Sequence, residues 1–185
     1  MARLPYRSAE DLPAESRYLL DRPINLFRAL AGNPTVLRWM HDIGTWIRHD
    51  CSFDARLREL AILQVGYLSR SAYEFTHHVA IGLSFGVTMA DVHALRAAAH
   101  GRPTDLDEEM ATVLEAARQL TVGTSVDDAT WERLLALFGE SASLDLIFVI
   151  THYVQVVRVL GALQIDVEPE YEQYLALLDR DSPVR

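Results

Sequence analysis

At 185 residues, half of them hydrophobic, the chain is long enough to bury one sizeable core and short for two. A net charge of −9 without any cluster of Lys and Arg excludes a surface built to neutralise nucleic-acid phosphates. The single cysteine, Cys51, excludes an intramolecular disulfide framework and any Cys-x-x-Cys redox or zinc motif, and fits a reducing compartment.

Residues 1–23 read as an extended or partly helical arm, because Pro5, Pro13 and Pro23 limit helix continuity. The arm lacks the apolar core of about 7–15 residues that a signal peptide needs, so the expected location is cytoplasmic. Helical spacing then runs from Ile24 to Leu30 and from Pro34 to Ile47, with Asn33 as N-cap and Pro34 at the first helical position. Trp39, Ile43 and Trp46 share one face of this second helix. That face reads as core or subunit interface, with a substrate-pocket wall as the alternative.

The stretch Ala55 to Leu68 predicts a helix whose second half, AILQVGYL, is apolar on nearly every side and must be surrounded by protein. Ser69-Arg70-Ser71 connects it to a helix over Ala72 to Phe85, ended by Gly86, so the two form a hairpin. Thr88 caps a helix reaching about Ala99, and further helices are predicted over Asp107 to Leu120, Val126 to Phe138 and Ser143 to Leu163. The most apolar region, Leu144 to Leu163, is interrupted by Asp145, His152, Gln155 and Arg158. It reads as a core helix and not as a membrane span of roughly 20 apolar residues. No strand pattern appears, so the fold class is all-α, with one helical domain over 24–170 and a tail over 171–185 that wraps a neighbouring subunit or frays.

Titratable residues stand out among the apolar neighbours of the hairpin. Glu74 and His78, at i and i+4, share a helix face, and Glu59 can join them from the facing helix. Burial pushes such groups to pair or to neutralise, and Glu with His suits proton transfer. Plain structural readings compete. Ser71-x-x-Glu74 is a capping box in which Glu74 only holds the helix start, Glu59 follows Arg56 and Arg58 as an ordinary ion pair, and His78 packs as a core histidine. Glu74-x-x-His77 is half of a di-iron pattern whose second Glu-x-x-His pair is missing, so no metal is expected.

The run Arg58-Glu59-Leu60-Ala61, then Tyr73-Glu74-Phe75-x-x-His78, Gly82 and Gly86-Val87-Thr88, resembles the carboxymuconolactone decarboxylase family, which includes the alkylhydroperoxidase D-like proteins. A looser match takes in the late helix with His152-Tyr153, Arg158 and Gly161-Ala162-Leu163. The resemblance implies an all-helical bundle of about six to eight helices that assembles into trimers or hexamers. In the family's peroxidase branch a Glu, a Cys-x-x-Cys pair and a His form a proton relay. Aligned on Glu59 and His78, the two cysteine positions fall on Ser71 and Glu74, neither of which can cycle through sulfenic acid and disulfide.

What remains is an acid/base set of Glu59, Glu74 and His78, implying a cofactor-independent enzyme acting by decarboxylation, isomerisation or elimination on a small oxygenated organic acid or lactone. Ser71, Tyr73 and Tyr153 are the expected substrate contacts, and Arg70 or Arg158 the expected anchor for a substrate carboxylate. Peroxide reduction through Cys51 and a non-catalytic, ligand-binding oligomer are the alternatives.

Overall fold

The computed structural model describes residues 2–178, and among them every regular element is helical. The organising element is α3 (Ala55–Leu68), opened by the Asp54 carboxylate, which accepts from the Leu57 amide at 2.9 Å. Every residue from Leu57 to Leu68 is buried, as an all-round apolar helix requires. Around it pack α4 (Ala72–Ser84), α5 (Met89–Ala99), α6 (Glu108–Val122) and α7 (Asp128–Leu163).

The α3–α4 hairpin is unusually close. A Cβ on Gly66 would lie 3.0 Å from the Phe75 amide nitrogen and 3.1 Å from its Cα, so only glycine lets the two backbones meet there. The same contact lets the Gly66 carbonyl accept from the Ser71 amide at 3.0 Å. Beyond α4 the chain turns through Gly86 at φ 90°, the left-handed position its sequence context predicts. Thr88 then caps α5 in a reciprocal box with Asp91.

Helix α2 (Pro34–His49) begins as expected, the Asn33 side chain accepting from the Thr35 and Val36 amides at 3.2 and 3.4 Å. The short α1 (Asn25–Leu30) precedes it. Two 3₁₀ segments, Ala9–Asp11 and Ala14–Leu20, give the N-terminal arm its form. Its Leu12, Leu19 and Leu20 are buried in a second core cluster with Leu26, Phe27, Met40 and Leu160. A 3₁₀ strap, Pro169–Leu177, lies across α4. Residues 179–185 of the expected tail lie outside the described residues.

The two helices predicted over Val126 to Phe138 and Ser143 to Leu163 are both present within α7 and meet at a kink at Gly139 (φ 75°, ψ 174°). The Ser143 hydroxyl donates to the Gly139 carbonyl at 2.6 Å beside the kink. By length and composition α7 could cross a membrane, its apolar window having a mean hydropathy of 1.8. However, α3 and α6 pack along it, and one such helix is weak evidence for a span. On its other side, with α2, it walls an open apolar groove of about 820 Å³ that includes Trp39, Trp46, Leu144 and Phe148. Trp39 therefore lies on the surface, 48% exposed, and not in the core.

Replacing Gly66 with Ala should force the hairpin apart. An overpacked contact of this kind costs about 1–3 kcal/mol, read as a lower urea midpoint with unchanged slope. Unaltered stability would show that α3 and α4 do not depend on this approach.

Candidate active site

Three groups converge between α3 and α4. His78 Nδ1 lies 2.7 Å from Glu59 Oε2 and, on the other side of the ring, Nε2 lies 3.0 Å from Glu74 Oε1. All three residues are buried, at 2%, 3% and 7% exposure for Glu59, Glu74 and His78. The second oxygen of Glu59 faces buried Arg58, whose Nε and Nη2 are each 3.5 Å from Oε1. Arg58 in turn lies over the Phe85 ring at 5.3 Å. Glu59 is thus braced on both sides.

Glu74 is held differently. Ser71 caps α4 by accepting from the Glu74 amide at 3.4 Å, but the reciprocal half of the box is missing because the Ser71 amide is already given to Gly66. With no cap to make, the carboxylate turns towards His78. The 3.0 Å approach pairs Glu74 Oε1 with the imidazole across one turn of α4.

Burial alone would push the His78 pKa down, since it penalises the charged ring. The attraction of Glu74 and Glu59 outweighs it and raises the group to about 9. His78 is therefore an imidazolium held between two carboxylates at neutral pH.

The cavity over this trio measures about 90 Å³, against roughly 10–15 Å³ needed for one water molecule. Tyr153, from α7, lines it with its ring edge-on to His78 at 4.9 Å, and its phenol stays protonated because burial and the carboxylates of Glu74 and Glu59 raise its pKa well above the ordinary value. Tyr73 also lines it, but its hydroxyl is engaged, donating to Glu168 Oε1 at 3.1 Å and accepting from the Leu26 amide at 3.2 Å. Ser71 is spent on its cap. Arg70 is exposed at the α3–α4 turn with φ 52°, and exposed Arg158 donates to the Val154 carbonyl at 2.7 Å. Neither arginine is among the residues that line the cavity.

Residues that the sequence does not single out as site members fill the remaining wall. Arg22 and Arg48 line the cavity, and so does His152. Burial pushes the His152 pKa down to about 4, with His78 adding to the effect and Glu74 opposing it, so this ring is neutral; its Nδ1 is buried without a hydrogen-bond partner. It is the one residue that lines both cavity and outer groove as described here. His77 also lines the cavity, its ring stacked between Tyr73 and Tyr171 at 4.0 and 3.8 Å and its Nε2 2.9 Å from Glu168 Oε2. No local signal marks Arg22 or Arg48, whereas His152 carried one in its place beside Tyr153.

Cys51 sits in the α2–α3 connection, half-buried against core residues, and burial pushes its thiol pKa up, away from the reactive thiolate. Among the described residues no group of three or more His, Cys, Asp and Glu is arranged to hold a metal ion.

Fold and site together define an all-helical bundle with a buried Glu–His–Glu centre. The crystal structure of an alkylhydroperoxidase AhpD core, an uncharacterized peroxidase-related protein from Ralstonia eutropha JMP134, superposes with a TM-score of 0.74, covering 92% of this chain and 94% of that one at 18% identity. Residues 34–119 match the carboxymuconolactone decarboxylase family. No curated protein matches the sequence. The family carries decarboxylase and peroxidase-related roles.

Because the folded pKa of His78, about 9, lies above its ordinary 6.5, the stability it contributes is fully present below pH 6.5 and is lost as pH rises through 9. Urea midpoints should fall across that window in the wild type, and His78→Gln should flatten the fall. A wild-type profile flat from pH 6.5 to 9 would mean that the imidazolium is not held this way.

Proposed function

We propose that the protein is a proton-transfer enzyme that acts, without thiol redox chemistry, on a small oxygenated organic acid or lactone. The observation that carries this reading is the buried His78 ring, 2.7 Å from Glu59 Oε2 and 3.0 Å from Glu74 Oε1 on the wall of one cavity. A buried acid and base held side by side on a cavity wall can pass a proton to and from a bound molecule.

In this mechanism His78 carries the proton. Glu59, tied to Arg58, holds the ring through Nδ1 and fixes its orientation, while Nε2 faces Glu74. For an isomerisation, Glu74 takes a proton from carbon next to a carbonyl, the electron pair moves into the carbonyl, and His78 returns a proton at the new site. For a decarboxylation, the C–C bond to the departing CO₂ breaks, its pair is taken up by the adjacent conjugated system, and His78 protonates the carbon left behind. The isomerisation closes when Glu74 passes its proton back to His78, whereas the decarboxylation consumes a proton and closes when one from solvent restores His78. The neutral Tyr153 phenol, beside His78, is placed to donate to a substrate oxygen.

Positioned acid/base groups contribute about 10²–10⁴-fold to rate. Over a panel of unsaturated lactone acids and β-keto acids, followed by CO₂ release and by deuterium uptake at carbon, Glu74→Gln and His78→Gln should each lower turnover by at least about a hundredfold. Turnover retained in both variants would remove the acid/base site. Cys51→Ser should leave turnover unchanged, and peroxide reduction that vanishes with this substitution would restore the thiol reading.

The same proposal includes assembly with further copies of this chain. Helix α7 is only one third buried over its apolar window, and Trp39, Leu144 and Phe148 are 48%, 47% and 67% exposed along a continuous groove with α2. A contiguous apolar face of this kind on a chain carrying nine net negative charges suits a second copy, which brings the matching apolar face, better than a charged partner. Light scattering should show an oligomer that Phe148→Asp dissociates; a monomeric wild type would exclude it.

A further inference from the structure

We propose that Arg48 and Arg22 form an anion subsite on the rim of the Glu59–Glu74–His78 cavity, which holds a carboxylate that the substrate keeps through the reaction. The inference rests on the proton-transfer reading for what lies deeper in the same cavity, but the subsite itself stands on separate observations.

Both side chains line the cavity from different parts of the chain, Arg22 from the turn before α1 and Arg48 from the last turn of α2. Their charges are close enough that partial burial and then Arg22 lower the pKa of Arg48. Like charges placed together repel, and this chain has 26 acidic against 17 basic residues with which to prevent it. It does so elsewhere: Arg56 pairs with Asp91 at 2.7 Å and Arg118 with Glu115 at 2.6 Å. Arg22 and Arg48 have no carboxylate partner among the described residues. Two unneutralised guanidinium groups beside a cavity in an acidic protein leave an anion as the complementary occupant.

The placement of Arg48 is specific. Its guanidinium folds back over Gly44, one turn earlier, with Nη1 3.4 Å from where a Cβ would stand. Tyr153 lies within its electrostatic reach, and the Tyr153 ring is 4.9 Å from His78. Anchor and proton carrier therefore line one cavity, each a neighbour of Tyr153. Glu59 and Glu74 face the same cavity and would repel an anion brought close to them. A carboxylate is thus drawn to the rim and excluded from the floor, so the substrate enters with its acid group outward and the reacting carbon towards His78. Bidentate contact with Arg48 would fix that polarity, which a lysine ammonium would not reproduce.

Calorimetric titration with benzoate, phthalate and succinate, each against its neutral amide, tests the subsite without any need for turnover. The wild type should prefer at least one acid to its amide, and the preference should weaken as salt rises. Arg48→Gln should lower acid affinity about tenfold, Arg48→Lys should recover only part of it, and the Arg22→Gln/Arg48→Gln double variant should abolish the preference. Glu74→Gln should keep or strengthen it. Equal binding of acid and amide in all three wild-type pairs, or a preference surviving the double substitution, overturns the proposal. An acid preference lost with the arginines, while turnover ignores Glu74 and His78, leaves the subsite standing and sinks the proton-transfer reading. Turnover that needs Glu74 and His78 in a protein indifferent to the acids does the reverse.

Discussion

Two carboxylates closed around one imidazole are the constraint on which the rest of the structure turns. Glu59 and Glu74 come from facing helices and are almost wholly withdrawn from water, where an isolated ionised group is very costly. His78 offsets one charge and Arg58 the other, so the group of four is close to neutral only as a complete set. Removing any member leaves charge stranded. The packing around it has the corresponding rigidity: α3 is buried on every side, and the glycine contact at Gly66 draws α4 against it.

Much of this was legible in the sequence, for local reasons. An unbroken apolar surface on Ala55–Leu68 announces a central helix, and Asn33, Ser71 and Thr88 announce helix starts because a short side-chain oxygen before an apolar run has one good use. The i, i+4 spacing of Glu74 and His78 fixes their common face. What no local pattern could settle was the choice between capping and site for Glu74. That choice hangs on the Ser71 amide, which is taken by a carbonyl five residues back, a tertiary detail of how closely the hairpin closes.

The arginines illustrate the opposite limit. Arg70 and Arg158 neighbour the motif in sequence or share the helix of Tyr153, yet the α3–α4 turn aims one outward and the phase of α7 aims the other into solvent. Arg22 and Arg48 belong to segments with no chemical signature and meet only because the N-terminal segments fold back over α4 and α7. A cavity wall assembled from five separate stretches has no spacing rule. Gly139 is the contrary case at the level of elements, since the break that the sequence predicts between two helices is there, as a kink within α7.

The position of Glu74 bears most directly on what this fold is used for. In the resemblance that frames the sequence, it occupies a site that a cysteine takes in the peroxidase branch, and Ser71 occupies the other. Sulfur there would be held one helical turn from His78, on the same face, within reach of its proton. A carboxylate in that place inherits the geometry and changes the chemistry: it accepts and returns protons but stores no electrons. Cys51, in a different connection and with its thiol pKa raised by burial, does not replace what was lost. On the proton-transfer reading, the residue beside this helix-borne imidazole decides whether a proton accompanies electron transfer to a peroxide or rearrangement at carbon.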